Sequence, residues 1–590
     1  MKFSIPLCLA LASAALAASP LDDRNRPVAR TEAQPAAETA KQLKLPPGFT
    51  AQVVAAEPDV VQPIAFTTDD RGRLWVLENT NYPNCPGKPV DRILIFEDFG
   101  PDGKARKRTV FYDKLTFASG LAVGHGGVWV GAPPNLLFFP VKDGADRAMG
   151  EPQVVLDGWG NQDTHETLNN FIWGPDGWLY GTHGVFTHSN VGRPGTPDAE
   201  RVKLNAGVWR YHPVKKKFEL YAEGGSNQWG ADWDDRGQMF FAACVIPHMW
   251  QAIQGGRYQR QAGQHPDRFT YDGLKTIADF EYEKRAYCGA MIYLGGTWPA
   301  EFRDAFFCGD IHMNKLRCEK LVRDGSGMKC ERKMDFLASP DAWYRGLSAQ
   351  YGPDGNVWVN DWYDKVPCHQ QREFTDRTNG RIYKIAHEGA KAVSVDLAKA
   401  TDAELVQMQL HANDWYVRHA RRLLAERGPN ESVRSGLTMI VLDHPDETRR
   451  LRALWALHGV GGVGEKLALS ALRDRSEYVR AWTIQLTCED GTPTAAELAE
   501  FAKMARGDAS PVVRLYLASA AQRIGIAQRW PILEGLAAHA EDAQDHNLPL
   551  MLWYAAEPAV AADPVRGAAL MANCKIPKVQ EFIARRMAAK

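Results

Sequence analysis

The chain has 590 residues, more than a single hydrophobic core usually organises, so at least two domains are expected. Its 70 basic residues stand against 71 acidic ones, which leaves no electrostatic footprint for nucleic acid or an anionic membrane. A small neutral partner fits this balance better.

Met1-Lys2, the apolar run Ile5 to Leu16 and the small-x-small site Ala15-Leu16-Ala17 predict a signal peptide over residues 1–18, and with it export to the periplasm or the extracellular space. That run is short for a transmembrane span, and no later segment has the required length. Residues 19–45, rich in Ala, Pro, Arg, Gln and Glu, predict a flexible leader. Removing Cys8 from the ten cysteines leaves nine, and an oxidising compartment favours pairing, with Cys308, Cys318 and Cys330 close enough in sequence to staple one unit. An odd number leaves at least one thiol free. No CxxC, CxxCH or paired Cys/His spacing occurs, which speaks against a structural zinc site or attached haem, and the adjacent Cys368-His369 is not ligand spacing by itself.

Between Gln62 and Tyr363 one phrase recurs six times: a Gly-containing polar turn between two short aromatic or β-branched strands. The turns are Asp70-Arg71-Gly72, Gly126-Gly127, Pro175-Asp176-Gly177, Asp235-Arg236-Gly237, Gly295-Gly296 and Pro353-Asp354-Gly355. Such a repeat predicts an all-β six-bladed β-propeller over residues 46–388, in which each blade buries its faces against its neighbours. Thr50 to Ala55 reads as the first blade's opening strand and Arg381 to Ile385 as the last strand. From residue 389 to 590 Ala, Leu, Arg and Glu dominate and apolar positions follow a helical period, predicting an all-α domain. Its own repeat is Trp415-Tyr416-Val417-Arg418, Arg450-Leu451-Arg452, Tyr478-Val479-Arg480 and Pro511-Val512-Val513-Arg514. This resembles HEAT-like repeats, which bind a protein partner or brace another domain.

In a propeller, loops from every blade meet at one end of the axis, so a site is assembled from residues distant in sequence. The strongest cluster is Asn161 to Asn170, containing Asp163, His165 and Glu166. His165 is its one side chain titrating near neutrality, suited to act as general base. Comparable places hold Ser226-Asn227-Gln228-Trp229, Asp310 to Lys315 with His312, Trp343-Tyr344-Arg345, and Asn360 to Asp364 with Asp361. Arg345 is a fixed positive charge beside two rings, suited to a carboxylate or a planar ligand. The plainer readings are a loop histidine bonded to its own backbone, a surface ion pair for Arg345, and tryptophans serving as blade core.

The phrases HETLNNFIWGPDGWLY (His165 to Tyr180), MIYLG (Met291 to Gly295), Ile311-His312-Met313-Asn314, Trp343-Tyr344-Arg345, Asp361-Trp362-Tyr363 and Asp376 to Ile382 together resemble the PVC-type membrane-bound dehydrogenase-like propellers. That family is more distantly similar to soluble quinoprotein sugar dehydrogenases, which hold pyrroloquinoline quinone (PQQ) and calcium. The resemblance implies His165 as the base on a sugar or polyol hydroxyl and Arg345 as a quinone-contacting residue. It places Asn227, Asn170, His312 and Lys315 on the cofactor side, and Asp163, Glu166, Trp343 and Asp361 toward substrate, with no metal ligands assigned. Ser226 and Val185 depart from that pattern, so orienting His165 falls to Asp163, Glu166 or His183. The implied reaction passes hydride to the quinone and electrons to a separate acceptor such as a cytochrome c. Two alternatives stay open: a carbohydrate lyase or hydrolase with His165 as base, and a non-catalytic glycan-binding or assembly protein.

Overall fold

The structure is a computed structural model that describes residues 31–589 apart from 143, 283–285, 369–373 and 390–392. The expected signal peptide lies outside the described residues. Six sheets radiate around an axis, and each of the six sequence turns joins the two innermost strands of one sheet. These inner hairpins are Pro63–Thr68 with Leu74–Glu78, Gly120–Gly124 with Gly127–Ala132, and Asn169–Trp173 with Leu179–His183, followed by Asn227–Trp233 with Met239–Cys244, Tyr287–Ile292 with Phe306–Asp310, and Gly346–Tyr351 with Val357–Asp361. Second strands such as Leu74–Glu78, Leu179–His183 and Val357–Asp361 are buried at every position, because blades pack on both faces and the axis closes the edge.

Ring closure corrects one expectation. Strand Phe49–Ala56 does not open the first blade; it pairs antiparallel with Arg381–His387 and forms the outer strand of the sixth. Supplying the outer strand of the last blade from the start of the chain ties the ring shut. The segment expected as a flexible leader contributes a short helix, Ala36–Gln42, whose Ala40 is buried with neighbouring Leu43, and Thr39 bonds Asp341 at 2.7 Å and Arg381 at 2.9 Å. Thr39, Ala40 and Leu43 are the buried residues by which this stretch lies against the closing blade.

Cys308, Cys318 and Cys330 form no disulfide, which corrects the expected staple. The register explains it: Phe307 faces Cys318 and Cys308 faces Arg317, so Cys308 and Cys318 project to opposite faces of the sheet, and Cys330 sits opposite Leu321 further along the hairpin.

Helices from Asp402 to Ala588 form the C-terminal region, and none of the described helices is long and apolar enough to cross a membrane. The repeated arginines bridge turns: Arg450 donates to His444 O and Asp474, Arg480 to Asp474 O and Asp508, and Arg514 to Asp508 O and Asp542. This region seals one end of the axis. Helix Asp414–Arg427 lays Trp415 on Thr68 (Nε1 to Oγ1, 2.8 Å), Arg418 on Asp232 (2.7 Å) and His419 on the Thr68 carbonyl (3.3 Å). Behind it Arg452 bridges Asp235 (2.7 Å) and Asp414 (3.2 Å), while Trp482 Nε1 donates to Arg236 O at 2.9 Å. The Gly-turn ends of the inner hairpins are therefore covered, and the opposite ends stay open.

Candidate active site at the open end of the propeller

Each inner hairpin begins and ends at the uncovered end, so that end collects the residues just before a first strand and just after a second. They enclose a cavity of about 350 Å³ lined from all six blades, including Asn79, Ser119, His165, Asn227, Trp229, Cys244, Tyr287, His312, Trp362 and Cys368. A wider groove of about 1480 Å³ runs between the second and third blades and the ends of the helices, but it holds no cysteine. A chamber of about 110 Å³ lies at the sealed end, walled by Asn170, Asp232, Trp415 and Arg418.

The chemistry of the open cavity centres on sulfur. The Cys368 thiol is hydrogen-bonded to the imidazoles of both His165 and His312. Burial alone would raise its pKa, yet the two rings outweigh burial and bring it down to about 6. His165 donates from Nδ1 to Asp163 Oδ1 at 2.7 Å, and its backbone N–H reaches the same oxygen at 3.0 Å. Burial would strip the imidazolium of its proton, whereas Asp163 and Cys368 hold it and push the pKa up to about 9. Near neutrality the favoured state is a thiolate beside an imidazolium braced by a carboxylate. Glu166 is buried, accepts the Phe186 N–H, and is pushed by burial up to about 8, so it carries a proton at pH 7. Tyr82 sets its ring edge-on against His165 at 5.6 Å and against Trp362 at 5.7 Å, closing an aromatic wall around the ion pair.

The structure brings together Asp163, His165, Glu166, Asn227 and His312 from the sequence-derived set. Asp163, rather than Glu166 or His183, orients His165, since His183 is buried and bonded to Ser189 Oγ (2.8 Å) and Gly184 O (3.0 Å). Arg345 does not share the cavity: it is 4% exposed and donates to the carbonyls of Tyr344 (2.9 Å) and Lys365 (3.3 Å). Asp361 accepts the backbone N–H groups of Arg345 and Tyr363, so both residues shape the sixth blade's loop. Trp343 is buried on Tyr363 with its Nε1 on Thr31 O at 2.9 Å. Lys315 pairs with Asp335 at 2.6 Å, away from the cavity, and Asn170 faces the sealed chamber.

Cys368 is the cavity residue that sequence reasoning missed. Its signal was topological: it lies in the long connection between Val357–Asp361 and Arg381–His387, the sixth-blade counterpart of the loop that carries His312 after Phe306–Asp310.

A family profile covers the whole ring, from residue 35 to residue 389. The chain belongs to the DUF7133 family. The description of that family is a domain of unknown function, and no curated protein matches this chain. Solved structures similar to this DUF7133 propeller are sugar dehydrogenase-like and related propellers. The PQQ-bound aldose sugar dehydrogenase of Streptomyces coelicolor aligns at 13% identity and a TM-score of 0.36, over 59% of this chain and 100% of that one. The holo PQQ domain of pyranose dehydrogenase from Coprinopsis cinerea aligns at 11% identity and 0.38, over 59% and 97%. The calcium-binding protein regucalcin from Agrobacterium tumefaciens aligns at 10% identity and 0.34, over 59% and 96%.

PQQ carries carboxylates, and a calcium ion takes oxygen ligands. The described cavity lining contains no Lys or Arg to answer the carboxylates of PQQ, and it includes Asp163. Among the described residues no group of three or more His, Cys, Asp or Glu side chains is placed to hold a metal ion.

Proposed function

We propose that this chain is a cysteine-dependent enzyme that cleaves a small neutral ester in the axial cavity, a hydrolase rather than a quinone-linked dehydrogenase. The observation that carries this reading is the Cys368 thiol bonded to His165 and His312, with His165 braced by Asp163 inside an enclosed cavity. His165 holding a proton to about pH 9 is a poor base for a sugar hydroxyl and a ready acid for a leaving group.

In the first half-reaction the Cys368 thiolate attacks the ester carbonyl carbon and a C–S bond forms. The C–O bond to the alcohol then breaks, and the alkoxide leaves with the His165 proton. Because Nδ1 is held by Asp163, Nε2 is the nitrogen available to the sulfur and the substrate. His312, on the same sulfur, is the donor placed to receive charge developing on the carbonyl oxygen. In the second half-reaction neutral His165 takes a proton from water, hydroxide adds to the thioester, and the thiolate departs.

The test is the pH dependence of alkylation of the intact protein by iodoacetamide, mapped to Cys368 by peptide mass. The rate should rise through about pH 6 and then level. A rise only near pH 9, the ordinary range of a thiol, would overturn the reading. Oxidation of a sugar or polyol is distinguished in the same preparation by dye reduction with added PQQ and calcium, which this reading expects to be absent. Export belongs to the proposal as well, and N-terminal sequencing of protein recovered outside the cytoplasm should begin near Ala18.

A further inference from the structure

Resting on the proposed ester cleavage, we infer that the half of the substrate buried in the cavity is a flat apolar acyl group, aromatic or short aliphatic, while the alcohol half lies at the mouth. Among the described residues several polar atoms of the wall are bonded within the protein. Ser119 Oγ is bonded to Thr167 Oγ1 (2.9 Å) and the Leu168 carbonyl (2.7 Å), and Asn79 Oδ1 accepts the Tyr82 N–H at 2.9 Å. Gln261 Oε1 accepts the Ser226 hydroxyl, and Tyr287 Oη accepts the Tyr282 N–H at 3.2 Å. A polyhydroxylated acyl group would lose water along the ring-lined side of the cavity, where a buried hydroxyl finds no partner and its desolvation is unfavourable.

What the wall does offer is ring surface. Tyr82 stands edge-on to Trp362 at 5.7 Å and lies 6.4 Å from Phe117, with Trp229 and Ile311 completing the apolar side. Such faces take a planar or branched hydrocarbon group. Asn227 Oδ1, buried with no hydrogen-bond partner among the described residues, offers an orienting contact. Phe186, 45% exposed, stands at the rim where the departing alcohol would emerge. A carbohydrate alcohol is compatible with that position, because its hydroxyls would stay in water.

Two measurements on the full chain test this. The first compares kcat/KM for methyl acetate, methyl butyrate, methyl benzoate and methyl gluconate, which share one alcohol and differ in the acyl half. Benzoate and butyrate should exceed gluconate by on the order of a hundredfold. The variant Trp229→Ala, at a partly exposed position, should narrow the benzoate-to-acetate ratio about tenfold and leave the alkylation pH profile of Cys368 unchanged. The second measures protection of Cys368 from iodoacetamide by benzamide against glucose, and needs no turnover. Protection by benzamide with no ester cleaved would uphold the apolar site and reject ester cleavage. Preference for gluconate, protection by glucose alone, or protection by neither would reject the apolar site.

Discussion

The two ends of the propeller axis are built from the same six hairpins and put charge to opposite uses. At the sealed end two buried arginines are answered by carboxylates: Arg452 lies between Asp235 and Asp414, and Arg418 between Asp232 and Asp414. Burial would raise the Asp414 carboxyl, and Arg452 and Arg418 hold it far below the usual carboxylate range. At the open end a thiol, two imidazoles and a carboxylate meet across a cavity: the imidazoles bring the Cys368 thiol down to about 6 against burial, while Asp163 and Cys368 push His165 up to about 9. Complementary fixed charges make a lid. Groups whose protons can move make a site.

The largest effect should come from breaking the reactive end alone. Replacing the sulfur in Cys368→Ser should lower ester cleavage by on the order of a thousandfold or more, since a serine hydroxyl is not ionised beside these rings. Thermal stability should stay within about 1 kcal/mol of the parent, because one oxygen replaces one sulfur. Retained turnover in this variant would remove Cys368 from the mechanism. The sealed end should break the other way. Arg452→Ala leaves Asp235 and Asp414 buried beside a missing guanidinium, and urea unfolding should show a loss of about 3–5 kcal/mol. Its alkylation profile should not move, so equal damage to both readouts would contradict the separation of the two ends.

The distinction also marks what could be read from the chain. Six Gly turns announced six hairpins because a turn needs a residue with positive φ, and Gly72, Gly177, Gly237 and Gly355 all adopt it. The polar run before the third blade announced His165 and Asp163, since both lie within a few residues of a recognisable strand. Cys368 was hidden by its place in a connection with no repeat of its own. Arg345 misled for the converse reason: it stands at a repeat boundary beside aromatic residues, but its guanidinium serves the carbonyls of Tyr344 and Lys365. Proximity to a repeat reports blade geometry, whereas pocket membership depends on which way a loop folds back.

A milder break at the sealed end tests the fit between the domains. Gly237 has φ +74°, and a Cβ there would come within 2.5 Å of Trp455 and Trp482. Gly237→Ala should cost about 1–3 kcal/mol in unfolding and weaken the Trp482 contact with the Arg236 carbonyl, with Trp fluorescence as the reporter. An unperturbed Tm would mean the helices do not press on the hairpin turns.

The smallest effect is the most specific. Asp163 touches His165 and is a positioning residue, so Asp163→Asn should lower turnover at pH 7 by only about tenfold, through protons. In the parent, alkylation rises as the thiol ionises near pH 6, and the imidazolium is lost near pH 9. Removing the carboxylate takes away what raises the His165 pKa, so the imidazolium is lost at lower pH and the alkaline limb moves down. With less positive charge beside it, the Cys368 thiolate is less favoured, and the acid limb moves up. The working window therefore narrows from both sides, an outcome that a purely structural role for Asp163 would not produce. Limbs that stay near 6 and 9 while the rate falls would show that the carboxylate only shapes the loop.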